Sequence, residues 1–385
     1  MVLELASVLA GPGVGQFFAE LGARVIKVEN VKTNGDVTRG WKSRHEDTDD
    51  RSAYFCAVNW GKQSIALDLT TDEGVDIVHR LAAQSDIVIS SFKPGDAEKL
   101  HVDYPKLSRN HPELIYGQIT GYGSHDPRVG YDAIIQAEAG FMYLNGEPGG
   151  KSLKMPVALV DILAGHHLKE GLLLALLERA TTKRGKLVAV SLIQAAAASL
   201  ANQATNYLVG GFSPDKEGSA HPNIAPYGDV YLSADQKEVL LAVGTDRQFE
   251  VLCNVLDIAE LTKDDRFRTN PSRVAHRSIL QELISRAISS QAGKTLVEKL
   301  TEQKVPAALV QNIPEALSDP EINKLMLSGG HLKSLRTYAV SDSTSILSHL
   351  LPPPRLGEHT DSILQGMLNF SPTAVLELHK RAIIK

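Results

Sequence analysis

Short apolar runs alternate with helical segments along the first third of the chain. An apolar run of four to eight residues is typical of a buried strand, and a period of 3.6 residues is typical of a helix. Strands that alternate with helices in this way predict an α/β fold with a mostly parallel sheet covered on both faces. The predicted strands are Val2–Leu5, Arg24–Val28, Ser64–Leu69, Asp86–Ile89 and Leu114–Ile119, with helices at Phe17–Leu21 and Thr71–Ala83, the latter capped by Thr71, and a turn at Ala10–Gly13.

Three loops follow predicted strands and contain polar residues and glycines. They are Ala6–Gly13, Ser90–Gly95 and Thr120–Gly130. In parallel sheets, ligands bind at the carboxyl ends of the strands, where such loops meet. We therefore expect the three loops to face one crevice.

The pattern changes in the middle of the chain. Met155–Val160 is interpreted as a further strand that ends at Asp161, and Ile162–Arg179 is an almost wholly apolar helix, which we expect to be buried on most sides. The next segment, Ile193–Leu208, is rich in alanine and predicts a helix, and Gly210-Gly211 with the polar stretch after them then interrupt regular structure, which suggests a domain boundary. We predict a large domain from 1–200, a smaller α/β domain from 201–305, and a return to the large domain at 306–385.

Composition narrows the possible functions. The chain has 385 residues, of which 43% are hydrophobic and 22% charged, as in ordinary globular proteins. A net charge of −5, with basic residues scattered except at Lys183, Arg184 and Lys186, argues against nucleic-acid binding. No apolar run approaches the roughly 20 residues that span a bilayer, and no signal peptide is evident, so no membrane role is expected.

The two cysteines, Cys56 and Cys253, are far apart in the sequence. They cannot form a disulfide framework or a CxxC metal site. A reducing cytoplasm is therefore the expected compartment.

A dinucleotide site is one interpretation of the N-terminal segment. Gly11, Gly13 and Gly15 follow a predicted strand, and Glu29 ends the next one, as a nicotinamide-dependent oxidoreductase requires. However, the spacing is GxGxG, and Pro12 removes an N–H where phosphate would bind. A tight turn at the start of a helix is the better interpretation of the glycines.

Asp161 lies between two apolar segments, at the predicted start of a helix. The helix N-terminus favours an ionised carboxylate, which a nucleophile needs, but aspartate is also a common N-cap there. Periodicity alone favours the cap. His166 and Glu170 have the i, i+4 spacing of metal ligands, but no third ligand is evident nearby, so no metal site is predicted.

Ten stretches, in order along nearly the whole chain, resemble family III CoA-transferases, which include formyl-CoA transferase and carnitine CoA-transferase. The stretches are VLAGPGVGQFFAELGARVIKVEN at the start, GDVTRGW at 35–41, NWGKQSIALDL at 59–69, SDIVISSFKPG at 85–95, ITGYGSHDPRVGYDAIIQAEAG at 119–140, MPVALVDILAG at 155–165, TKRGKLVAVSLIQAA at 182–196, HPNIAPYG at 221–228, VGTDRQFEVLC at 243–253 and LGEHTDSIL at 356–364. One match would be weak, but ten in the same order are specific.

The resemblance implies that Asp161 is the catalytic aspartate. In the family's mechanism this carboxylate attacks an acyl-CoA thioester to give an aspartyl-acyl anhydride, and the released CoA thiolate then makes an aspartyl-CoA thioester. The acceptor acid repeats these steps in reverse. Such chemistry requires the exclusion of water, and the apolar surroundings of Asp161 fit that requirement. With the resemblance included, a nucleophile becomes the favoured interpretation of Asp161, ahead of a helix N-cap.

The resemblance also assigns the contacts to CoA, which is a substrate and not a permanently bound cofactor. The implied CoA-binding residues are Val8, Leu9, Ala10, Leu67, Asp68, Leu69, Thr70, Ser91, Phe92, Lys93, Lys99, Gly130, Tyr131 and Asp132. Two positions depart from the family: Asn30 stands where relatives often have an arginine that stacks on adenine, and Ser90-Ser91 replaces a common Glu-Asn. These departures affect the expected contacts to adenine and phosphate and not the expected chemistry.

The same fold also serves α-methylacyl-CoA racemases, which use a histidine where this chain has Tyr131, between Gly130 and Asp132. A phenol is a poorer base than an imidazole at neutral pH, so the sequence favours transfer over racemisation. The segment Gly218–Tyr227 resembles members that act on small dicarboxylic acids. The family further implies a Rossmann-like large domain and an interlocked homodimer, in which two chains pass through each other as linked rings.

Overall fold

A computed structural model describes residues 1–340 and 349–385, and the chain divides into two compact units. The first unit comprises Met1–Ala139, Met155–Leu200 and Asn323–Lys385, and the second comprises Gly140–Lys154 and Ala201–Ile322. The second unit thus includes 140–154, which the sequence-based division placed in the large domain, and it extends beyond residue 305. Residues 341–348 of the predicted third segment lie outside the described residues.

The first unit is built on a six-stranded sheet in which every pairing is parallel. Its order, β3-β2-β1-β4-β5-β6, is that of a Rossmann-like doubly wound sheet. The α/β prediction is therefore confirmed, and all five predicted strands are present within two residues of their expected bounds. The strands are β1 (Val2–Leu5), β2 (Val25–Asn30), β3 (Lys62–Leu67), β4 (Ile87–Ser90), β5 (Ile115–Thr120) and β6 (Leu187–Ser191).

The strand order reverses direction between β1 and β4. From β1 the chain continues to one side of the sheet, through β2 and β3, and from β4 it continues to the other side. The loops that leave the carboxyl ends of β1 and β4 therefore diverge, and a crevice opens between them. This switch point is where ligands bind in such sheets.

Helices cover both faces of this sheet. Thr71 caps α3 as predicted, because its side chain accepts a hydrogen bond from the N–H of Gly74. The helices of the first unit are α1 (Ala10–Glu20), α2 (Ala53–Cys56), α3 (Asp72–Ala82), α4 (Asp96–Lys99), α5 (Tyr104–Leu107), α6 (Asp132–Glu138), α8 (Leu159–Thr182), α9 (Leu192–Ala198), α17 (Thr360–Gly366) and α18 (Pro372–Lys380), with a hairpin of β10 (Met326–Gly329) and β11 (Leu332–Leu335). No helix in the described part of the chain is long and apolar enough to cross a bilayer.

The predicted turn at Ala10–Gly13 is wrong, because helix α1 already begins at Ala10. The N–H of Gly13 donates to the carbonyl of Leu9 at 2.8 Å and so closes the first helical turn. Pro12 is tolerated there because the first N–H groups of a helix have no partner within it.

The predicted strand at Met155–Val160 is also wrong. Helix α8 begins at Leu159, and the N–H groups of Met155 and Val160 donate to the side chains of Gln136 and Asp132, not to a neighbouring strand. Pro156 has no N–H to offer a sheet. An apolar segment is typical of a buried strand, but the N–H groups of this one bind side chains from α6. Sequence periodicity does not show such contacts.

Helix α8 is buried on one side only, so the expectation of burial on most sides is wrong for the single chain. Leu168 and Leu172 are fully buried and lie where a side chain at Gly117 of β5 would touch them. On the other side, Leu173, Leu174 and Leu177 are 40%, 66% and 70% exposed. An apolar face of this size is unusual on the surface of a lone chain.

The second unit has its own core around an antiparallel sheet with the order β7-β8-β9. The predicted strand Val239–Val243 corresponds to β8, but Ala307–Leu309, expected in the large domain, pairs with β8 as β9. The predicted helix 193–208 is two helices, α9 and α10. The elements of this unit are α7 (Phe141–Leu144), α10 (Ala201–Gly210), β7 (Tyr227–Leu232), β8 (Glu238–Ala242), α11 (Asp246–Val255), α12 (Asn270–Ala275), α13 (Arg277–Ile288), α14 (Gly293–Glu302), β9 (Ala307–Leu309), α15 (Ile313–Leu317) and α16 (Pro320–Asn323).

Candidate active site

A cavity of about 240 Å³ lies at the carboxyl edge of the parallel sheet in the first unit. The loops after β1, β4 and β5 all contribute to its wall, together with the start of α8. The structure brings these expected site residues together here: Val8, Leu9, Ala10, Ser91, Phe92, Lys93, Gly130, Tyr131, Asp132 and Asp161. The expectation that the three loops share one crevice therefore agrees with the geometry.

A second cavity, of about 480 Å³, adjoins the first. The two share Ser7, Val37, Ser91 and Phe92 in their walls. The second is also lined by Leu69 and Thr70, which were expected at the nucleotide end of CoA, and by Asn30. An elongated ligand can therefore extend from the end of β2 and β3 toward Asp161.

Three of the expected contact residues line neither cavity. Leu67 is fully buried at the end of β3, Asp68 is ion-paired with Lys32 at 2.7 Å, and Lys99 is paired with Asp96 on the surface. The sequence placed them by their position in a family motif. That position does not specify which way a side chain points.

Asp161 is the third residue of α8, and its side chain is not the N-cap. The N-cap position belongs to Ala158, which has no capping side chain. Asp161 is only 7% exposed, and its carboxylate accepts no hydrogen bond from any described residue. Because the residue lines a cavity and caps no helix, its carboxylate is available to a group that enters that cavity.

Asp132 supplies the cap that α8 lacks. One carboxylate oxygen accepts the N–H of Val160 at 2.9 Å, and the other accepts the Nε2 group of Gln136 at 2.8 Å. Gln136 in turn accepts the N–H of Met155 at 2.9 Å. Helix α6 thus fixes the backbone on the N-terminal side of Asp161, and with it the direction in which that carboxylate projects.

The pKa of Asp161 is raised from 3.8 to about 7. Burial is the main cause because it disfavours the charged form, and the negative charge of Asp132 adds to it. The partial positive charge at the N-terminus of α8 acts in the opposite direction and does not prevail. Close to neutral pH, Asp161 is therefore a carboxylate that is part ionised and more basic than an exposed aspartate.

The loop after β5 depends on two glycines in close contact. A Cβ atom on Gly121 would lie 2.7 Å from the Cα atom of Gly130, and one on Gly130 would lie 2.4 Å from the Cα atom of Gly121. Only glycine permits this approach, so the loop folds back tightly just before Tyr131 and Asp132. Larger residues here would displace the wall of the cavity.

The loop after β1 lies above a group of buried charges. Lys27 donates to Glu4 at 2.9 Å, to Asp36 at 2.9 Å and to the carbonyl of Ala6 at 2.6 Å. Burial by itself would lower the pKa of Lys27, but Asp36 and Glu4 raise that pKa above its usual value. Lys27 therefore remains charged and anchors the end of β1.

Val8, in the same loop, has a φ of 72°. The left-handed region is rare for a β-branched residue. Such a conformation costs roughly 1–3 kcal/mol and persists only where the surrounding structure imposes it. Such strain is concentrated at functional sites in proteins. Here it occurs at a residue that lines the cavity with Asp161.

The structure assigns the residues of the dinucleotide interpretation to other tasks. Glu29 is buried and binds Arg39 through two hydrogen bonds of 2.6 and 2.8 Å, so its carboxylate is not free to bind a ribose. A Cβ atom on Gly15 would lie 1.8 Å from Glu4, and one on Gly11 would lie 2.5 Å from the Cβ atom of Ala6. These two glycines allow α1 to pack closely on β1.

Sequence reasoning missed several residues at the site. Asp36 lies within the quoted GDVTRGW stretch without an assigned role, and Arg128 and Leu192 also line the cavity. Burial raises the pKa of Tyr54, and the charge of Asp161 contributes, so this tyrosine lies close to the site as well. Asp36, Arg128 and Leu192 all lie inside matched stretches, so the sequence carried a signal for each of them, whereas Tyr54 lies in none.

Two histidines of α8, His166 and His167, lie within about one turn of Glu170. Nδ1 of His167 lies 3.8 Å from that carboxylate, and burial lowers the pKa of His166. Among the residues that the structure describes, no group of three His, Cys, Asp or Glu side chains is arranged to hold a metal ion.

Comparisons with known proteins are consistent with this geometry. The chain is 38% identical to a succinate–glutarate CoA-transferase from Agrobacterium fabrum, over 97% of this chain and 96% of that protein. It is 31% identical to a human succinyl-CoA:glutarate CoA-transferase, over 100% and 88%. A solved CaiB/BaiF family protein from Brucella suis superposes with a TM-score of 0.85 and 39% identity, over 95% and 97% of the two chains. The family model for CoA-transferase family III matches residues 1–360, and the chain therefore belongs to CoA-transferase family III.

Proposed function

We propose that this enzyme moves CoA from an acyl-CoA donor to a carboxylic acid, with Asp161 as the covalent nucleophile. One observation carries the proposal: Asp161 is a buried carboxylate without a hydrogen-bond partner among the described residues, and it lines a cavity at the switch point of the sheet. A nucleophile must be accessible to substrate and free of groups that hold its lone pairs.

The proposed steps balance without any other reagent. A carboxylate oxygen of Asp161 attacks the thioester carbon, the C–S bond breaks, and CoA leaves as a thiolate. The thiolate attacks the Asp161 side of the resulting anhydride, which releases the donor acid and leaves an aspartyl-CoA thioester. The acceptor carboxylate then attacks this thioester, which breaks its C–S bond, releases CoA thiolate and forms a second anhydride. The thiolate attacks the acceptor carbonyl of that anhydride, which gives the acceptor-CoA ester and frees the Asp161 carboxylate. No proton is consumed, and water must stay out.

The raised pKa of Asp161 suits this role. A carboxylate with a pKa of about 7 is more nucleophilic than one with a pKa near 4, yet a usable fraction is ionised at neutral pH. The same burial that raises the pKa also limits the access of water to the anhydride and thioester intermediates.

CoA is proposed to extend through both cavities, with its nucleotide end in the larger one and its thioester beside Asp161. The proposed contacts are Val8, Leu9, Ala10, Leu69, Thr70, Ser91, Phe92, Lys93, Gly130, Tyr131 and Asp132, all of which line one cavity or both. Lys93 makes no ion pair with any described residue, so its charge is available to a phosphate. Leu67, Asp68 and Lys99 are left out of this proposal because they line neither cavity.

Small dicarboxylic acids are the proposed substrates. Relatives bear names with succinyl-CoA as donor and glutarate or mesaconate as acceptor. We expect the enzyme to convert succinyl-CoA and glutarate into glutaryl-CoA and succinate. Mass spectrometry of the CoA esters measures this conversion. Glutarate should be a better acceptor than acetate, which lacks the second carboxylate. If no dicarboxylate accepted CoA from succinyl-CoA, the proposed substrate class would be wrong. Transfer of CoA from a different donor would in that case still support the proposed mechanism.

Racemisation is not favoured by the site. The position between Gly130 and Asp132 holds Tyr131, a residue that is 59% exposed, and not a histidine. A proton shuttle needs a second base of suitable strength opposite Asp161. Exchange of an α-hydrogen for deuterium, without any acceptor acid present, would revive this alternative.

We also propose a homodimer and a cytoplasmic location. The exposed leucines of α8 in the first unit provide an apolar surface that a second copy would cover, and Leu208 and Val209 are exposed on α10 of the second unit. A monomeric mass by light scattering would contradict the dimer.

The free cysteines Cys56 and Cys253 are both buried, which is typical of proteins from reducing compartments.

A further inference from the structure

We infer that Asp36 is a positioning residue for the proposed transfer. Its carboxylate accepts the N–H of Val8 and so holds the backbone of the loop after β1. This loop geometry places the first turn of α1 opposite Asp161. This inference rests on the proposed function. Asp36 lines the second cavity, but its side chain is 0% exposed. We therefore assign it a role through the residues it binds and not through contact with substrate.

The conformation of Val8 requires an external constraint. Its φ of 72° lies in the left-handed region, which crowds a β-branched side chain. The N–H of Val8 lies 3.3 Å from each carboxylate oxygen of Asp36, and no other described residue accepts it. Asp36 is therefore the group that stabilises the unusual backbone of Val8.

Asp36 itself is held firmly. One carboxylate oxygen accepts the N–H of Thr38 at 3.0 Å and its hydroxyl at 2.8 Å, and the other binds Lys27 at 2.9 Å. The backbone N–H of Asp36 donates to Glu29 at 2.9 Å. Because its partners come from several parts of the first unit, the carboxylate provides a fixed point to which the loop is attached.

The neighbours of Val8 are fixed in a similar way. Lys27 binds the carbonyl of Ala6 at 2.6 Å, and the hydroxyl of Ser91, in the loop after β4, accepts the N–H of Ser7 at 3.1 Å. Three successive residues are thus held by side chains from other segments. Such redundancy is what keeps a strained backbone in place.

The consequence reaches the reacting atoms. Val8, Leu9 and Ala10 line the same cavity as Asp161, so a thioester attacked by Asp161 lies against this loop. If Val8 relaxed to a negative φ, the path of the chain into α1 would change. A displacement of about 1 Å in groups that orient a substrate can lower a rate about 100-fold.

The first test is Asp36→Asn, which keeps the shape of the side chain. An amide has one acceptor oxygen where the carboxylate uses two, so it cannot satisfy Val8, Thr38 and Lys27 together. We expect kcat to fall by roughly 10-fold to 100-fold, while the KM for succinyl-CoA changes by less than about threefold. The matched control is Glu20→Gln, a buried carboxylate that accepts the N–H groups of Thr337 and Tyr338 away from the cavity. It should lower the melting temperature and leave kcat unchanged.

Two further substitutions, both at Val8, remove no buried charge by themselves and separate positioning from stability. Val8→Pro removes the N–H and fixes φ near −65°, so it should lower kcat at least as much as Asp36→Asn. Glycine adopts positive φ without help, so Asp36→Asn should cost less kcat in a Val8→Gly background than in the wild type. Equal losses in the two backgrounds, or full kcat in Val8→Pro, would overturn the inference. Absence of transfer by the wild type itself would instead remove the proposed function, and this inference with it.

Discussion

Replacement of Asp161 by asparagine is expected to lower kcat by about 10⁴-fold or more, the scale on which loss of a covalent nucleophile acts. Asparagine preserves the shape of the side chain but cannot form an anhydride with the donor acyl group. Because Asp161 lies at one end of the proposed CoA path, the affinity for CoA itself should change little. Transfer assays and calorimetric titration with CoA measure the two quantities separately.

The control for this variant lies on the same helix. Glu170 of α8 has a side chain that is 71% exposed, and Glu170→Gln should retain kcat within about twofold. If Asp161→Asn kept a tenth or more of the wild-type kcat, with succinyl-CoA and glutarate as substrates, the role of Asp161 as nucleophile would be wrong.

The same substitution should stabilise the protein at neutral pH. A folded-state pKa raised from 3.8 to about 7 means that the folded protein binds the proton more tightly than the unfolded chain. Stability is therefore lost as pH rises from about 4 to 7, and the loss stays constant above pH 7. With each pKa unit worth about 1.4 kcal/mol, the buried charge destabilises the native state by roughly 4 kcal/mol at most.

Asparagine resembles the protonated form of Asp161, so it avoids this cost. Compared with the wild type, Asp161→Asn should melt a few degrees higher at pH 8 and at nearly the same temperature at pH 4. Thermal unfolding at several pH values provides the comparison, with Glu170→Gln as a variant that should show no such trend. A lower melting temperature for Asp161→Asn at pH 8 would mean that the ionised carboxylate stabilises the fold.

Much of the fold could be predicted because its strands are buried on both faces. Val2–Leu5 and Ile87–Ser90 are continuous buried runs, which a parallel sheet requires and which are visible in the sequence. The carboxyl ends of such strands meet at one edge, so the loops after them were correctly expected in one crevice. Asp161 stood out as a lone charge between apolar segments.

Other features depend on contacts between distant parts of the chain. The start of α8 is set by the carboxylate of Asp132, and Leu174 and Leu177 are exposed although they lie in a continuous apolar run of that helix. Periodicity records how many apolar residues a helix has, but not which neighbours cover them. The hydrogen bond from the N–H of Val8 to Asp36 joins residues 28 positions apart. The local pattern of apolar and polar residues cannot predict such a contact.

The most direct test of covalent transfer is to trap the activated carboxyl group of Asp161 with hydroxylamine. The enzyme would be incubated with succinyl-CoA without acceptor, quenched with hydroxylamine, digested with protease and analysed by peptide mass spectrometry. Attack of hydroxylamine on the aspartyl carbonyl of either intermediate leaves a hydroxamate on Asp161, with an added mass of about 15 Da, and Asp161→Asn should show none. An unmodified Asp161 peptide in an enzyme that is turning over would contradict the account.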